Sequence, residues 1–459
     1  MNGIRKYKNQ FLAIIPGKLP KYKTNDFLPT LIFKIPASLI SICSGFHLAY
    51  GIFNSNLGHK DWMYNFGNLP ISIVPVSYHI LAFCGGVYAS CFYRNVSIYK
   101  LHCISSAFMA LGGVVFCLFE DIYYTILTSR ILTGFAFGSS HISSLFYIGE
   151  ISSKEKRAQL VLFQHLCLTV GMFLHSISDA FGIFFGMGIF LVMLSCTSYP
   201  IGYYTMKDSH VFLILNNKED SLKRLKHFRD EKDEIIDLEH DALQSYLIEE
   251  ESRKFNFFSR HNILTLLVIV LVQNSYISVF NPLHNYLRLL FMKSFLMKWT
   301  ETVALSARIF GTLASFLILD CVPKKFHFTI LSGIISITLI TFGSLLIFFS
   351  QLWLPLIFLI SVEFFLGLGM GGISEILKSE LFPIKERRMS VSVAYFFEES
   401  LQIISFVILY SWAFGLGSNP TYWPFIFAAI LLICSLLVFF VLKDSRKEHL
   451  IDASMLYSD

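Results

Sequence analysis

Residues 129–157 read SRILTGFAFGSSHISSLFYIGEISSKEKR, an apolar segment with spaced glycines that runs without a break into dense charge. Such a junction is that of a membrane helix meeting water. Gly134 and Gly138 stand four apart on one helix face, where absent side chains let a neighbouring backbone come close, a main route to helix association in lipid. Arg130 opens the helix; Glu150 and Arg157 bracket its exit, with Lys154 and Lys156 between them. The same bracket returns at Glu380 and Arg387 in SELFPIKERR, again after a glycine-bearing apolar segment. Lys207-Asp208-Ser209 follows the last apolar segment of the first half, and Lys443-Asp444-Ser445 that of the second. Two matched devices at corresponding points imply an internally duplicated membrane protein. Several carrier folds are built on that plan, with the substrate site between the repeats near the bilayer midplane.

Working outward, 54% of the chain is hydrophobic and only 15% charged, more apolar surface than one water-soluble core can hide. About twenty apolar residues span the ~30 Å hydrocarbon layer as a helix. Twelve such segments are expected, at 31–53, 71–92, 101–119, 123–148, 159–178, 183–206, 262–287, 301–320, 327–349, 353–377, 390–413 and 422–442. The fold class is therefore an all-α membrane protein with twelve transmembrane helices in two pseudo-symmetric six-helix bundles. The expected division is an N-terminal tail at 1–29, a first bundle at 30–206, a helical linker at 207–261, a second bundle at 262–442 and a C-terminal tail at 443–459. In the linker, Leu222, Leu225 and Phe228 recur at helical spacing among opposite charges, the pattern of short amphipathic helices at a membrane surface.

Lys and Arg near the ends of spans stay in the cytoplasm. The basic tail (Arg5, Lys6, Lys8, Lys18, Lys21 and Lys23), Arg94, Lys100, the cluster at 154–157, Lys324, Lys325 and the group at 385–388 all fall on one side if spans alternate. That side, with both termini, is expected to be cytoplasmic. The net charge of +5 then follows from topology and not from a nucleic-acid footprint. Nine cysteines fall mostly inside apolar runs without metal or disulfide spacing and read as small core residues. No nucleophile–base arrangement, phosphate loop or metal spacing points to an enzyme, a metal or a cofactor. The membrane histidines His47, His79, His141, His175 and His284 read as satisfied core residues.

Three stretches also carry a family resemblance. The run from Leu132 through Gly134, Gly138, Tyr147 and Glu150 to Arg157 resembles the helix 4 signature of the sugar porter family within the major facilitator superfamily. Glu380-Leu381-Phe382-Pro383 with Arg387 resembles that family's helix 10 to 11 junction. Asp320-Cys321-Val322-Pro323-Lys324-Lys325 is similar to its D-R-x-G-R-R turn after helix 8, with the first Arg and the Gly replaced. The resemblance implies the major facilitator fold and facilitative, alternating-access transport of a hexose or related sugar. It further implies a monomer in the lipid bilayer, most naturally the plasma membrane. Proton-coupled members of that family place an aspartate after the tyrosine of helix 1, where this chain has Gly51; the departure favours passive movement over symport. By register, Tyr93 replaces the acid of the turn after helix 2, which weakens closure of that side.

The same resemblance points to site residues. Gln164 and His165 occupy the positions of the family's helix 5 polar pair in reversed order, serving either as sugar ligands or as interhelical glue. Gln273 retains one of the helix 7 amides, Ser278 takes the position of that helix's asparagine, and Asn274 supplies a further amide. Glu375 replaces the helix 10 tryptophan, with Gly371 and Gly372 in place of the proline hinge. Glu398 and Glu399 take the helix 11 asparagine and tryptophan positions, and Gln402 matches a downstream asparagine. An acid near the bilayer centre costs at least ~2.5 kcal/mol, so Glu363, Glu375, Glu398 and Glu399 must face water, a cation or one another. They bind substrate, pair with bases, or mark a chain drifting from transport. A cytoplasmic gate is expected from Arg130, Glu150, Arg157, Asp208, Asp320, Lys324, Lys325, Glu380, Arg387 and Asp444. The rival readings are a proton-coupled or organic-cation carrier using Glu375 and Glu399, and a transport-poor, sensor-like paralogue.

Overall fold

In lipid a backbone must satisfy its hydrogen bonds within itself, so apolar segments of this length can only be helices. The first half forms α1 (Phe27–Phe53), α2 (Leu69–Phe92), α3 (Ile98–Leu118), α4 (Tyr123–Ile151), α5 (Arg157–Phe181) and α6 (Phe184–Thr205). Three shorter helices follow, α7 (His210–Leu215), α8 (Ser221–Phe228) and α9 (Asp233–Ser252). The second half forms α10 (Arg260–Phe291), α11 (Met297–Ile318), α12 (Lys324–Phe348), α13 (Trp353–Phe365), a π-helical turn at Leu366–Met370, α14 (Gly371–Glu380), α15 (Ile384–Gly415) and α16 (Trp423–Val441). This computed structural model describes residues 27–53, 69–118, 123–153, 156–216, 220–228, 233–252, 258–291, 297–319, 321–348, 353–415 and 422–442; Asp320 and Asp444 lie outside them. Among the described residues eleven spans are long and apolar enough to cross a membrane, α13 and α14 counting as one. The remaining long helix, α15, carries Glu398 and Glu399 in its middle.

The glycine row of α4 does what its spacing promised. A Cβ on Gly134 would stand 2.4 Å from the Tyr78 carbonyl oxygen, and one on Gly138 would stand 1.7 Å from that of Ala82, so α4 lies against the bare backbone of α2. The second half repeats the contact between α13 and α11, where a Cβ on Gly367 would meet the Arg308 carbonyl at 2.2 Å. Tyr78 and Arg308 are thus equivalent positions, as are the residues four before each glycine, Arg130 and Glu363. Arg130 lies over the Tyr78 ring at 4.4 Å and donates to the His47 carbonyl. Arg308 instead meets Glu363 at 2.9 Å, both side chains fully buried, and lies 4.0 Å from the Phe280 ring centroid. The duplication therefore reaches the middle of the bundles, with the buried guanidinium moved from the fourth helix of one half to the second helix of the other.

The tenth span is broken in its middle. Gly369 has φ 137°, a conformation that side chains with a Cβ rarely adopt, and it interrupts the helix between α13 and α14. The break frees the Leu368 carbonyl, and His327 of α12 donates to it at 2.9 Å. Such breaks are tolerated in membranes only where neighbours satisfy the released groups. Glycine does supply the hinge expected here, at Gly369 two residues before Gly371.

The short helices cap one end of the bundles. Ser209 begins α7, its hydroxyl accepting from the Phe212 amide at 3.0 Å. Leu225 and Phe228 of α8 are buried, and Phe228 packs edge-on against Phe33 of α1 at 5.2 Å. Leu243 and Leu247 of α9 close over Val211 of α7.

Candidate functional site: a cavity between the bundles

A cavity opens between the two halves near the middle of the helices. Ser41 and Leu48 of α1, His79 of α2, Phe137 and His141 of α4, and Gln164 and His165 of α5 line its first-half wall. Gln273, Tyr276 and Phe280 of α10, Ser374 and Glu375 of α14, and Glu398, Glu399 and Gln402 of α15 line the other. Of the expected ligands, Gln164, His165, Gln273, Glu375, Glu399 and Gln402 thus line one cavity. Asn274 and Ser278 do not. One residue on from Gln273 the helix has turned by about 100°, so the Asn274 amide points to α16, 3.5 Å from the Cys434 sulfur. Ser278 is turned back onto its own helix and donates to the Ser275 carbonyl at 3.4 Å.

The polar groups of the lining form one linked chain, from Ser144 to Gln273, and a separate pair, His79 with Glu399. His141 Nε2 lies 2.9 Å from Glu375, and its Nδ1 lies 3.4 Å from the Gln164 amide, which Ser144 holds by donating to its carbonyl oxygen at 3.1 Å. Lys378 reaches Glu375 at 2.5 Å and Glu398 at 2.7 Å, while Gln273 donates to Glu398 at 3.1 Å. His79 Nδ1 lies 2.6 Å from Glu399. Among the described residues, three buried polar atoms of the lining have no protein partner, His79 Nε2 and His165 Nε2 from the first half and Gln273 Oε1 from the second. From sequence, His79 and His141 read as core residues and Lys378 is not singled out. Lys378 was findable, since an acid and a base three apart in an apolar helix share a face. The histidines were not, because their carboxylates lie 234 and 320 residues away.

The expected gate residues divide. At the end that carries α7–α9, the Glu150 carboxylate accepts from the Tyr93 hydroxyl at 3.0 Å and from Ser209. Tyr93, standing where the family has an acid, therefore donates to that end instead of leaving it open. A Cβ on Gly149 would stand 3.3 Å from the Ser379 carbonyl and 3.8 Å from the Arg387 guanidinium, so the two brackets meet across the bundles. Arg387 also clamps the Phe382 carbonyl at 3.0 and 3.2 Å, Lys324 pairs with Glu380, and Arg157 is buried. Arg130 is elsewhere: twenty residues before Glu150 on one helix, it lies about 30 Å away, at the other end. Lys325 turns to the Phe439 ring of α16 at 4.3 Å, and Asp208 accepts from the Ile98 amide at 3.1 Å, capping α3 within the first bundle. At the end far from α7–α9, the bundles touch through Phe181 and Trp299, with ring centroids 5.2 Å apart. The cavity thus has an inter-bundle contact beyond it on either side.

Comparison with known proteins places this architecture. The chain is 24% identical over 407 residues to the facilitated trehalose transporter Tret1 of Apis mellifera ligustica, covering 83% of this chain and 77% of that one. It is 25% identical over 295 residues to the human solute carrier family 2, facilitated glucose transporter member 12, a match spanning 60% of this chain and 45% of the relative. Among solved structures, the proton:xylose symporter XylE bound to 6-bromo-6-deoxy-D-glucose superposes with a TM-score of 0.80 at 13% identity, covering 93% of this chain and 98% of that one. The inward open conformation of XylE from E. coli gives 0.68 at 14% identity, covering 94% and 100%. These likenesses show the major facilitator fold of twelve helices. The family model described as sugar (and other) transporter matches residues 40–457, nearly the whole chain, and the protein is a membrane transporter belonging to that family.

Proposed function

We propose that the chain carries a hexose or a closely related sugar down its gradient, by rocking of the two bundles about the central cavity. The observation that carries this reading is that open valences face the cavity from both bundles, among them His165 Nε2 on one and Gln273 Oε1 on the other. A buried polar atom left unmade costs about 1–3 kcal/mol, and a polyhydroxylated solute satisfies both at once while joining the bundles. Tyr276 and Phe280, stacked at 5.5 Å on the same wall, give the apolar face of a sugar ring something to lie against. The named substrates of the relatives, trehalose and glucose, are of this chemistry. An organic cation is less well served, since Glu375, Glu398 and Glu399 are each already held by a protein base or amide.

In this reading the end bearing α7–α9 faces the cytoplasm, as do both termini, because Lys and Arg cluster there. Glu150, Arg157, Glu380, Arg387 and Lys324 close the cavity on that side, and Ser209 ties Glu150 to the first linker helix. The carrier works as a monomer in the plasma membrane. Counterflow of labelled glucose and trehalose in proteoliposomes, competed by unlabelled sugars, tests the assignment. Stereospecific, saturable exchange is expected; no exchange of any sugar refutes it.

A further inference from the structure

Among the described residues, hydrogen bonds cross the cavity from bundle to bundle at two places where the first bundle gives an imidazole and the second a carboxylate. His79 of α2 meets Glu399 of α15 at 2.6 Å, with side-chain exposures of 2% and 4%. His141 of α4 meets Glu375 of α14 at 2.9 Å, with exposures of 12% and 9%. Neither bond survives a motion that parts the bundles, since each spans the plane along which they separate.

The groups around the two imidazoles can be counted. Facing His79 are Glu399, Tyr395, and Tyr78 with Arg130 on its ring; Phe406 supplies the apolar side. Facing His141 are Glu375, Glu398, Lys378, Gln164, His165 and the Tyr395 ring, stacked at 5.8 Å. Arg308, beyond His165, is matched by Glu363. The hydrogen-bonded groups therefore hold three carboxylates, Glu375, Glu398 and Glu399, against one ammonium, Lys378. With both imidazoles neutral these groups sum to two negative charges away from water, with Arg130 across the Tyr78 ring as the next cation; with both protonated they are neutral among themselves. Uncompensated buried charge is among the costliest features a protein can hold.

Resting on the transport reading above, we propose that His79 and His141 are a proton-binding site: the cavity closes only with a proton on each inter-bundle pair. The protons come from water on the open side and go to the ring nitrogen turned away from each carboxylate, His79 Nε2 and His141 Nδ1, the other nitrogen already donating its N–H to Glu399 or Glu375. When the bundles part, imidazole and carboxylate regain water separately, and the protons return to the side then exposed. Proton binding thereby sets how fast the carrier turns over, while the sugar gradient still sets the direction.

The test is equilibrium exchange of labelled sugar by the full chain in proteoliposomes, at equal pH inside and outside. A step needing two protons slows by up to about 100-fold per pH unit on the alkaline limb, and a step needing one by about tenfold. The wild type is expected to show the steeper slope and Glu399→Gln the shallower. Glu375→Gln/Glu399→Gln, which leaves Glu398 balanced by Lys378, is expected to be flat. His102→Gln, on α3 outside the cavity, keeps the wild-type slope. A pH-independent wild type overturns the proposal, as does a double variant as steep as the parent. Should the variants not reach the membrane, a pH-indicating dye in weak buffer decides, reading proton uptake when sugar is added to purified carrier: about two protons per carrier support the site, none refutes it. Exchange without pH dependence sinks this inference alone, whereas absence of exchange at every pH sinks the transport reading.

Discussion

Glu363→Gln removes one charge from the most deeply buried ion pair described and leaves its shape in place. Glu363 and Arg308 are both 0% exposed and 2.9 Å apart, and the guanidinium also donates to the Tyr276 hydroxyl at 3.3 Å. Stranding one member of such a pair costs about 3–5 kcal/mol. The Phe280 ring, 4.0 Å from the guanidinium, still contributes about 0.5–2 kcal/mol to a desolvated cation, which holds the expected loss near 3 kcal/mol. Against a total stability of about 5–15 kcal/mol this is a large share. Glu363→Leu/Arg308→Met, removing both charges, should by contrast come out within about 1 kcal/mol of the parent or above it, because the desolvation penalty goes with the pair. Thermal unfolding in detergent, followed by tryptophan fluorescence and by the monodisperse fraction after heating, measures both. A single variant as stable as wild type, or a double variant as unstable as the single one, would refute the reasoning.

Gly369→Ala is expected to cost about 1–3 kcal/mol in backbone strain, and a Cβ there would also stand 2.8 Å from His327 Nε2; reduced exchange at matched surface expression checks it. Arg387→Ala and Arg157→Ala should each lower transport by loosening the linker-side closure, and normal uptake at matched surface expression would count against that gate. His165→Ala or Gln273→Ala should weaken sugar binding by about 1 kcal/mol, near fivefold in affinity, with expression unchanged, read by equilibrium binding of labelled sugar. Ser209→Ala should cost about 1 kcal/mol of α7 stability and speed amide exchange across His210–Leu215.

Much of the fold was legible because lipid forces each apolar run into one helix and because Gly134 and Gly138 declare which face meets a neighbour. The duplication could be read at the ends of the fourth span of each half, through Glu150 and Glu380. Its continuation at Arg130 and Glu363 could not, since the two positions carry opposite charge and only the shared glycine contact reveals their equivalence. The cavity was half legible. Gln164, Gln273, Glu375 and Glu399 stand out as polar groups where lipid would reject them, but polarity alone does not say which way a helix turns, and Asn274 and Ser278 face elsewhere. Histidines pose the opposite difficulty: His79 and His141 are apolar enough to pass for core, and their partners come from the other bundle. Arg130 and Lys325 were grouped with the gate by charge, whereas one lies at the far end of α4 and the other on an aromatic ring of α16.

The shift of the buried arginine between repeats makes the halves no longer interchangeable. A hybrid carrying the eighth span in place of the second would set the Arg308 guanidinium against Arg130, cation on cation with no acid between them. The reverse graft, the second span in place of the eighth, would leave Glu363 facing a tyrosine and without its countercharge. Each half has thereby become a dedicated mate for its own helices, and a molecule stitched from two copies of either half would keep a matched set of fasteners while losing the division of imidazoles and carboxylates that spans the chamber.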